Sequence, residues 1–378
     1  MTAPAPGGDG RVGVLYLAPW VIPGGADKGT VDWFRLLDRT RFAPHLITTT
    51  AAANNAFVCD IEPLAEAVWN LPDLLDDDEF GPFVLGYVER HDIRVVHIMN
   101  CQFGFDLIPA LRAARPGLVI VVQQHAEEVD RSGYVRYVAT RYSPLLDAYS
   151  ATSVDLKRRI CSHGADERLV RVIYTGIDAT DEWHPLGTRP PRRPSDPLRV
   201  LFAGRIEDQK DPALMVDVVA AARRRGIPLV VDVVGEGSLR ADTERRAREL
   251  GVDDVLRFHG VSLAMAPWYE ANDVLLMTSR FEGIPYVIFE AMAMELVCVV
   301  PDVNANRELL DGSVGFVVDD RTDVGAYVAA LAALAADPGR CAALGAAARR
   351  RVLESFPLTR MAGEHMALYD ELLAGRPG

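Results

Sequence analysis

Apolar residues in this chain fall into short, β-branched runs separated by longer amphipathic stretches. That alternation is produced by a parallel sheet whose faces are covered by helices. The first run, Arg11-Val12-Gly13-Val14-Leu15-Tyr16-Leu17-Ala18, stops at Pro19 and is followed by a Gly24-Gly25 pair, so a buried strand meets a loop and a helix is predicted from about Thr30. Further strands are predicted at residues 43–49, 95–99, 119–123, 148–152 and 170–174, with helical periodicity between most of them.

The texture changes at residues 185–197, where Pro185, Pro190, Pro191, Pro194 and Pro197 are interleaved with Arg192, Arg193, Ser195 and Asp196. No helix survives that proline spacing. The alternation then restarts, with strands at 198–203, 229–234, 255–259, 274–278 and 297–301, and helices over 211–225, 239–250 and from Pro285. The predicted organisation is a Rossmann-like domain over 1–184, a linker over 185–197 and a second Rossmann-like domain over 198–357. An amphipathic terminal helix within 358–378 is expected to pack back on the first domain. A length of 378 residues fits two cores better than one.

Composition acts mainly by exclusion. With 49% hydrophobic and 25% charged residues the chain is an ordinary globular protein, and a formal charge of −13 argues against nucleic acid as a partner. The triplets Arg223-Arg224-Arg225 and Arg349-Arg350-Arg351 read as solvated helix faces. The first ten residues lack the basic-then-apolar order of a signal peptide, and no apolar run reaches membrane-spanning length, so a cytoplasmic protein without stable membrane insertion is expected. Cys59, Cys101, Cys161, Cys298 and Cys341 form no metal-ligand spacing and read as small buried hydrophobes.

Candidate chemistry collects beyond the carboxyl ends of the predicted strands, where open α/β sheets bind ligands. Gly204-Arg205 follows the strand at 198–203, and Lys210 lies five residues further on. A planar guanidinium and a compact ammonium suit a diphosphate; the alternative is surface salt bridging with Glu207, Asp208 and Asp211. The stronger signal is Ser279-Arg280-Phe281-Glu282-Gly283-Ile284-Pro285-Tyr286-Val287-Ile288-Phe289-Glu290, which follows the strand at 274–278. Pro285 suits a first helical turn, which directs the N–H groups of Tyr286 and Val287 at an anion. Glu282 and Glu290 bracket that position and are natural acceptors for sugar and ribose hydroxyls.

Taken together, these residues resemble the large GT-B family of retaining glycosyltransferases, family 4, whose hallmark is two glutamates separated by seven residues, as Glu282 and Glu290 are. The resemblance extends to Gly24-Gly25, the Gly204-Arg205 to Lys210 spacing, Gly235-Glu236-Gly237, Phe258-His259-Gly260-Val261, and Asn306-Arg307-Glu308 with Gly315. It implies an α/β fold of two Rossmann-like domains facing across a cleft. It further implies that Arg205 and Lys210 hold the donor diphosphate, Glu290 the ribose and Glu282 a hydroxyl of the transferred sugar, with Gly235, Gly283, Ile284, Pro285, Tyr286 and Val287 around them. Gly24 and Gly25 would admit the distal phosphate, Val261 would touch the base, and His125 would contact the sugar near its anomeric carbon. Glu295 and Val297 stand where the family commonly has Gly and Pro, and Asp27 where it often has glutamate.

The activity so implied is transfer from a UDP- or GDP-sugar, with retention by front-face substitution, to a hydroxyl of a small-molecule, glycan or glycolipid acceptor. No cofactor is implied, and no metal: Asp76-Asp77-Asp78 lies in a predicted loop and no Asp-x-Asp follows a strand. Acceptor walls are expected at 54–60, 72–82, 100–106 and 127–142, and Trp20, Trp69, Phe103, Phe105, Tyr134 and Tyr137 serve either stacking or the core. A nucleotide-sugar epimerase and a non-catalytic nucleotide-sugar-binding protein of the same fold remain as alternatives.

Overall fold

Alternate residues of the first strand, β1 (Val12–Ala18), serve opposite faces of one sheet: Leu15 and Leu17 join one buried cluster, Val14 and Tyr16 another. The computed structural model describes residues 10–22, 24–51, 56–126, 134–181, 183–188 and 190–376. They divide into two units, Met1–Gly176 with Leu358–Gly378, and Ile177–Pro357. In the first unit β1 is joined by β2 (Phe42–Thr48), β3 (Ala67–Asn70), β4 (Ile93–Met99), β5 (Val119–Gln124), β6 (Ala148–Ala151) and β7 (Val170–Val172), in the spatial order β3-β2-β1-β4-β5-β6-β7. The second unit has β8 (Leu198–Ala203), β9 (Leu229–Val234), β10 (Leu256–Gly260), β11 (Val274–Leu276), β12 (Val297–Pro301) and β13 (Gly315–Val318), ordered β10-β9-β8-β11-β12-β13. The paired strands run parallel, for example β1 on β4 and β8 on β11, so each sheet is of the Rossmann type.

Several boundaries differ from the sequence expectation. The first helix spans Gly25–Leu36 rather than starting near Thr30, because Gly24 takes the N-cap position and its carbonyl accepts from Lys28 N–H at 2.9 Å. A glycine pair at a helix start looks like loop in sequence. Strands β3 and β13 are not among the predicted ones: β3 is only partly buried along its length and ends in Asn70, and β13 opens on Gly315, so neither reads as a buried apolar run.

Residues 185–197 are not a free linker but part of the second unit. The side chain of Arg192, 3% exposed, donates to Leu334 O at 2.5 Å and Ala335 O at 3.0 Å, satisfying the last carbonyls of the helix Val324–Ala336. Glu270 accepts from the N–H groups of Leu186 and Thr188 at 3.1 and 2.9 Å. The change of unit therefore falls at Gly176–Ile177 rather than after residue 184, and again at Pro357–Leu358; Ile177 N–H donates to Phe356 O at 3.0 Å beside these crossings. The helix Leu358–Ala374 belongs to the first unit, where Met361, Leu368 and Tyr369 pack with Val14 and Tyr16. Among the described residues no single helix is long and apolar enough to cross a membrane.

Candidate functional site

The order of the second sheet reverses between β8 and β11, the position at which open α/β sheets form a binding crevice. The loops leaving those two strands carry Gly204-Arg205 and Ser279–Glu282. Glycine is required here by backbone contact: a Cβ on Gly235 would lie 1.9 Å from Gly204 O, and one on Gly237 2.2 Å from Ile206 O. That close approach lets Gly204 N–H donate to Val234 O at 3.0 Å and Ile206 N–H to Glu236 O at 2.8 Å, fixing the path of the Arg205 loop. Gly235, expected to line the donor site, thus has a structural reason of its own.

Lys210 is positioned by its neighbour. Asp211 adopts a left-handed conformation at φ 47°, caps the helix Pro212–Arg224 and pairs with Arg321 at 2.6 Å, while the Thr278 hydroxyl donates to Lys210 O and Asp211 O at 2.9 and 3.0 Å. The Lys210 ammonium then reaches Glu282 Oε1 at 2.5 Å, and Glu282 N–H is held by Asn304 Oδ1 at 2.9 Å. Both side chains of the pair are largely shielded from water. Arg205 is exposed and donates to Gln209 Oε1 at 3.1 Å, and Gln209 in turn donates to Phe281 O at 3.2 Å. The nearby acids pair elsewhere: Asp208 and Asp211 with Arg280, Glu207 with Ser238. Among the described residues neither Arg205 nor Lys210 forms an ion pair with those acids, although the Arg205 charge adds to the Ser238 hydrogen bonds that lower the Glu207 carboxyl.

Pro285 is the N-cap of the helix Tyr286–Ala293 rather than its first residue, so Tyr286 and Val287 lead the helix ahead of its own hydrogen-bond ladder. Gly283 and Ile284 lead into it from Glu282, and Ile284 and Tyr286 are buried. Glu290 accepts from the fully buried Tyr269 hydroxyl at 2.6 Å, and burial followed by the Glu290 charge pushes the Tyr269 phenol well above its usual value. Val261, just past β10, is 68% exposed. Lys210 and Glu282 are thus brought into contact, Arg205 is tied to the same loop through Gln209, and Glu290 is held by a tyrosine.

Gly24, Gly25 and His125 belong to the first unit. Gly24 is extended at φ 176°, and a Cβ there would stand no closer than 4.0 Å to Asp27 Oδ2, so the fold itself makes no demand for glycine. Burial raises the Asp27 carboxyl to about 7. His125, at the end of β5, is half-buried; the atoms packed around its ring lower the imidazole to about 4, so it is neutral at pH 7. Gln123 Nε2 donates to His125 Nε2 at 3.1 Å.

Sequence reasoning missed Gln209, Tyr269 and Asn304, none of which belongs to a motif, and Gln123, which shows as a polar residue ending an apolar run. Of the expected acceptor walls, residues 54–55 and 127–133 lie outside the described residues. Trp20 and Tyr134 are 36% and 38% exposed, whereas Phe105 is fully buried. Cys59 is exposed and Cys161 partly so, contrary to the reading of every cysteine as core.

Two Rossmann-type units with these strand orders define the GT-B class. A crystal structure of Anabaena HepE in complex with UDP matches over 95% of this chain and 100% of that one with a TM-score of 0.80, at 18% identity. Residues 23–181 match the family described as Glycosyltransferase Family 4, and residues 197–337 that described as Glycosyl transferases group 1. The GDP-mannose-dependent alpha-(1-6)-phosphatidylinositol monomannoside mannosyltransferase of Mycolicibacterium smegmatis is 33% identical over 318 residues, 76% of this chain and 78% of that enzyme. A D-inositol 3-phosphate glycosyltransferase of Streptomyces bingchenggensis is 33% identical over 233 residues, 56% of this chain and half the length of that relative. The chain belongs to glycosyltransferase family 4.

Proposed function

We propose that the protein is a retaining glycosyltransferase that moves a sugar from a UDP- or GDP-sugar to a hydroxyl of a small-molecule, glycan or glycolipid acceptor, without a metal. The observation that carries the reading is the Lys210–Glu282 pair at the strand-order reversal of the second unit, directly before a helix that bears Glu290. Such a crevice offers a cation, a helix N-terminus and two carboxylates in succession, which is what a nucleoside diphosphate sugar requires of its binder. Gly24, with no structural need for glycine, suits close approach of a phosphate to the backbone.

In this scheme Arg205, Lys210 and the N–H groups at Tyr286 and Val287 stabilise the diphosphate as it gains charge, the largest contribution in many such reactions. Glu282 orients a hydroxyl of the sugar, Glu290 accepts from the ribose, Val261 lies against the base, and neutral His125 touches the sugar. The leaving phosphate takes the acceptor proton on the face it vacates, which retains configuration. Relatives named for inositol phosphate and phosphatidylinositol mannoside favour a polyol or glycolipid acceptor.

Thermal denaturation in the presence of a panel of UDP-, GDP- and dTDP-sugars tests the donor assignment, because a ligand at 100 times its Kd adds about 2.7 kcal/mol to the native state. One nucleotide class is expected to raise the melting temperature of the wild type and to do so much less for Arg205→Ala. Absence of a shift across the panel sinks the reading.

A further inference from the structure

Buried polar side chains are almost always hydrogen-bonded, and the first unit holds a continuous line of them. His97 on β4 and Tyr369 on the helix Leu358–Ala374 are fully buried, and Gln123 on β5 is 8% exposed. Tyr369 Oη lies 2.5 Å from His97 Nδ1, His97 Nε2 lies 2.8 Å from Gln123 Oε1, and Gln123 Nε2 lies 3.1 Å from His125 Nε2. The amide sets the direction of every bond. Its oxygen only accepts, so His97 Nε2 carries a hydrogen and donates; the neutral ring then accepts at Nδ1, and the Tyr369 hydroxyl donates to it. The amide nitrogen only donates, so His125 Nε2 accepts and the proton of its neutral ring resides on Nδ1.

We propose that Tyr369, His97 and Gln123 form a positioning relay that holds His125 as its Nδ1–H tautomer, so that the ring offers a hydrogen-bond donor to an oxygen of the bound sugar. The inference rests on the reading of His125 as a sugar contact. It makes the C-terminal helix, which closes the first unit, a working part of that unit's site.

The surroundings hold the relay in one state. Burial keeps His97 far below its usual value and lowers His365 to about 4, so neither ring is charged at pH 7. His365, with its ring 5.5 Å from that of His97, is itself committed: Nδ1–H donates to Met361 O at 3.1 Å and Nε2 accepts from the Ser150 hydroxyl at 3.1 Å. The Tyr16 hydroxyl adds a longer contact of 3.5 Å to Gln123 Oε1, so the amide oxygen faces donors from two directions. The Thr152 hydroxyl donates to His125 O at 3.3 Å and fixes the backbone beneath the ring. Apolar groups of the same shape in place of both partners of a neutral buried hydrogen bond can be nearly neutral for stability, so packing alone does not call for polar residues at these positions.

Long-range proton–nitrogen correlation spectra of the full chain labelled with 15N-histidine report the tautomer directly, with His125 assigned by the signal lost in His125→Gln. The wild type is expected to show a pyridine-like Nε2 and a pyrrole-like Nδ1 for His125. Gln123→Glu cannot donate to Nε2, and there Nε2 becomes pyrrole-like. Turnover of UDP-glucose and GDP-mannose, read as release of nucleoside diphosphate, falls roughly 10–100-fold in kcat for that variant, the scale on which partners that orient a histidine act, with donor KM within about threefold of wild type. Tyr369→Phe deletes a single oxygen; it moves the His97 Nδ1 resonance and lowers kcat less, and it serves where Gln123→Glu does not fold. A wild-type His125 with its proton on Nε2, or a folded Gln123→Glu with wild-type kcat, overturns the relay. Wild-type turnover by His125→Ala overturns instead the sugar-contact reading beneath it.

Discussion

Lys210 and Glu282, 72 residues apart in sequence, meet through a 2.5 Å ion pair in which both side chains are shielded from water. A buried pair is worth little over an apolar replacement, but removing one partner leaves the other charge uncompensated, at about 3–5 kcal/mol. Lys210→Ala is therefore expected to lower stability more than the double variant Lys210→Met with Glu282→Gln, in denaturant titrations of each. Its turnover falls about 10²–10³-fold, the loss associated with one preorganised transition-state donor. Equal stability of single and double variants would show that the pair carries no net constraint.

Glu290 is oriented by the Tyr269 hydroxyl at 2.6 Å. A ribose contact is made equally in ground and transition states, so Glu290→Gln raises donor KM while leaving kcat nearly unchanged. Tyr269→Phe keeps the carboxylate but removes its anchor, and a smaller rise in the same constant is expected. Initial-rate measurements that show kcat falling instead of KM rising would move Glu290 into the chemistry of transfer.

Five histidines of the first unit, His45, His91, His97, His125 and His365, are held below their usual value of 6.5, chiefly by burial, three of them to about 4. As pH falls below 6.5 the unfolded chain therefore binds protons that the folded chain excludes, so stability present above 6.5 is lost on acidification, at up to about 1.4 kcal/mol per pH unit for each group until its own folded value is reached. Asp27 acts in the opposite sense. Its folded value is raised from 3.8 to about 7, so its contribution drains as pH rises through that window. Five groups against one give a melting temperature lower at about pH 5 than at about pH 7, and Asp27→Asn steepens the difference. Calorimetric scans that show equal or greater stability at the lower pH would contradict these assignments.

The strand–helix alternation was legible because most strands are continuous apolar runs: β8, β9 and β12 have the boundaries that the pattern predicts. The proline-rich stretch misled because a segment without helix still packs when an arginine such as Arg192 caps a helix end. Within the site, the charged residues stood out by type and spacing, but the pairing of Lys210 with Glu282 depends on which strands are neighbours, and that is a property of the sheet order. Tyr269 reads as core in sequence, and only the fold reveals that its hydroxyl serves Glu290.

Gly235 separates a backbone requirement from a ligand requirement. At φ 148°, with a Cβ only 1.9 Å from Gly204 O, Gly235→Ala is strained in the absence of any ligand and is expected to destabilise the chain by on the order of 3 kcal/mol. Gly24→Ala, where space and an extended φ accommodate a side chain, leaves the melting temperature unchanged and weakens donor binding. Reversal of the two phenotypes, seen by thermal denaturation and donor titration, would exchange their roles.

Stereochemistry and metal dependence together separate this mechanism from most other schemes of sugar transfer. If the diphosphate is held by Arg205, Lys210 and the N-terminus of the helix Tyr286–Ala293, the charge that develops on it is met by the protein's own cations and dipoles. The acceptor then approaches on the side from which the diphosphate departs, where the leaving oxygen takes its proton, and the glycoside keeps the donor's anomeric configuration. Activity is expected to persist in excess EDTA, whereas a metal-bridged diphosphate would lose its principal electrophile. Proton NMR of the glycoside formed and rates measured with and without chelator check the two halves separately. An inverted product excludes front-face transfer, and activity abolished by EDTA but restored by Mg²⁺ or Mn²⁺ assigns the diphosphate to a metal instead of to Arg205 and Lys210.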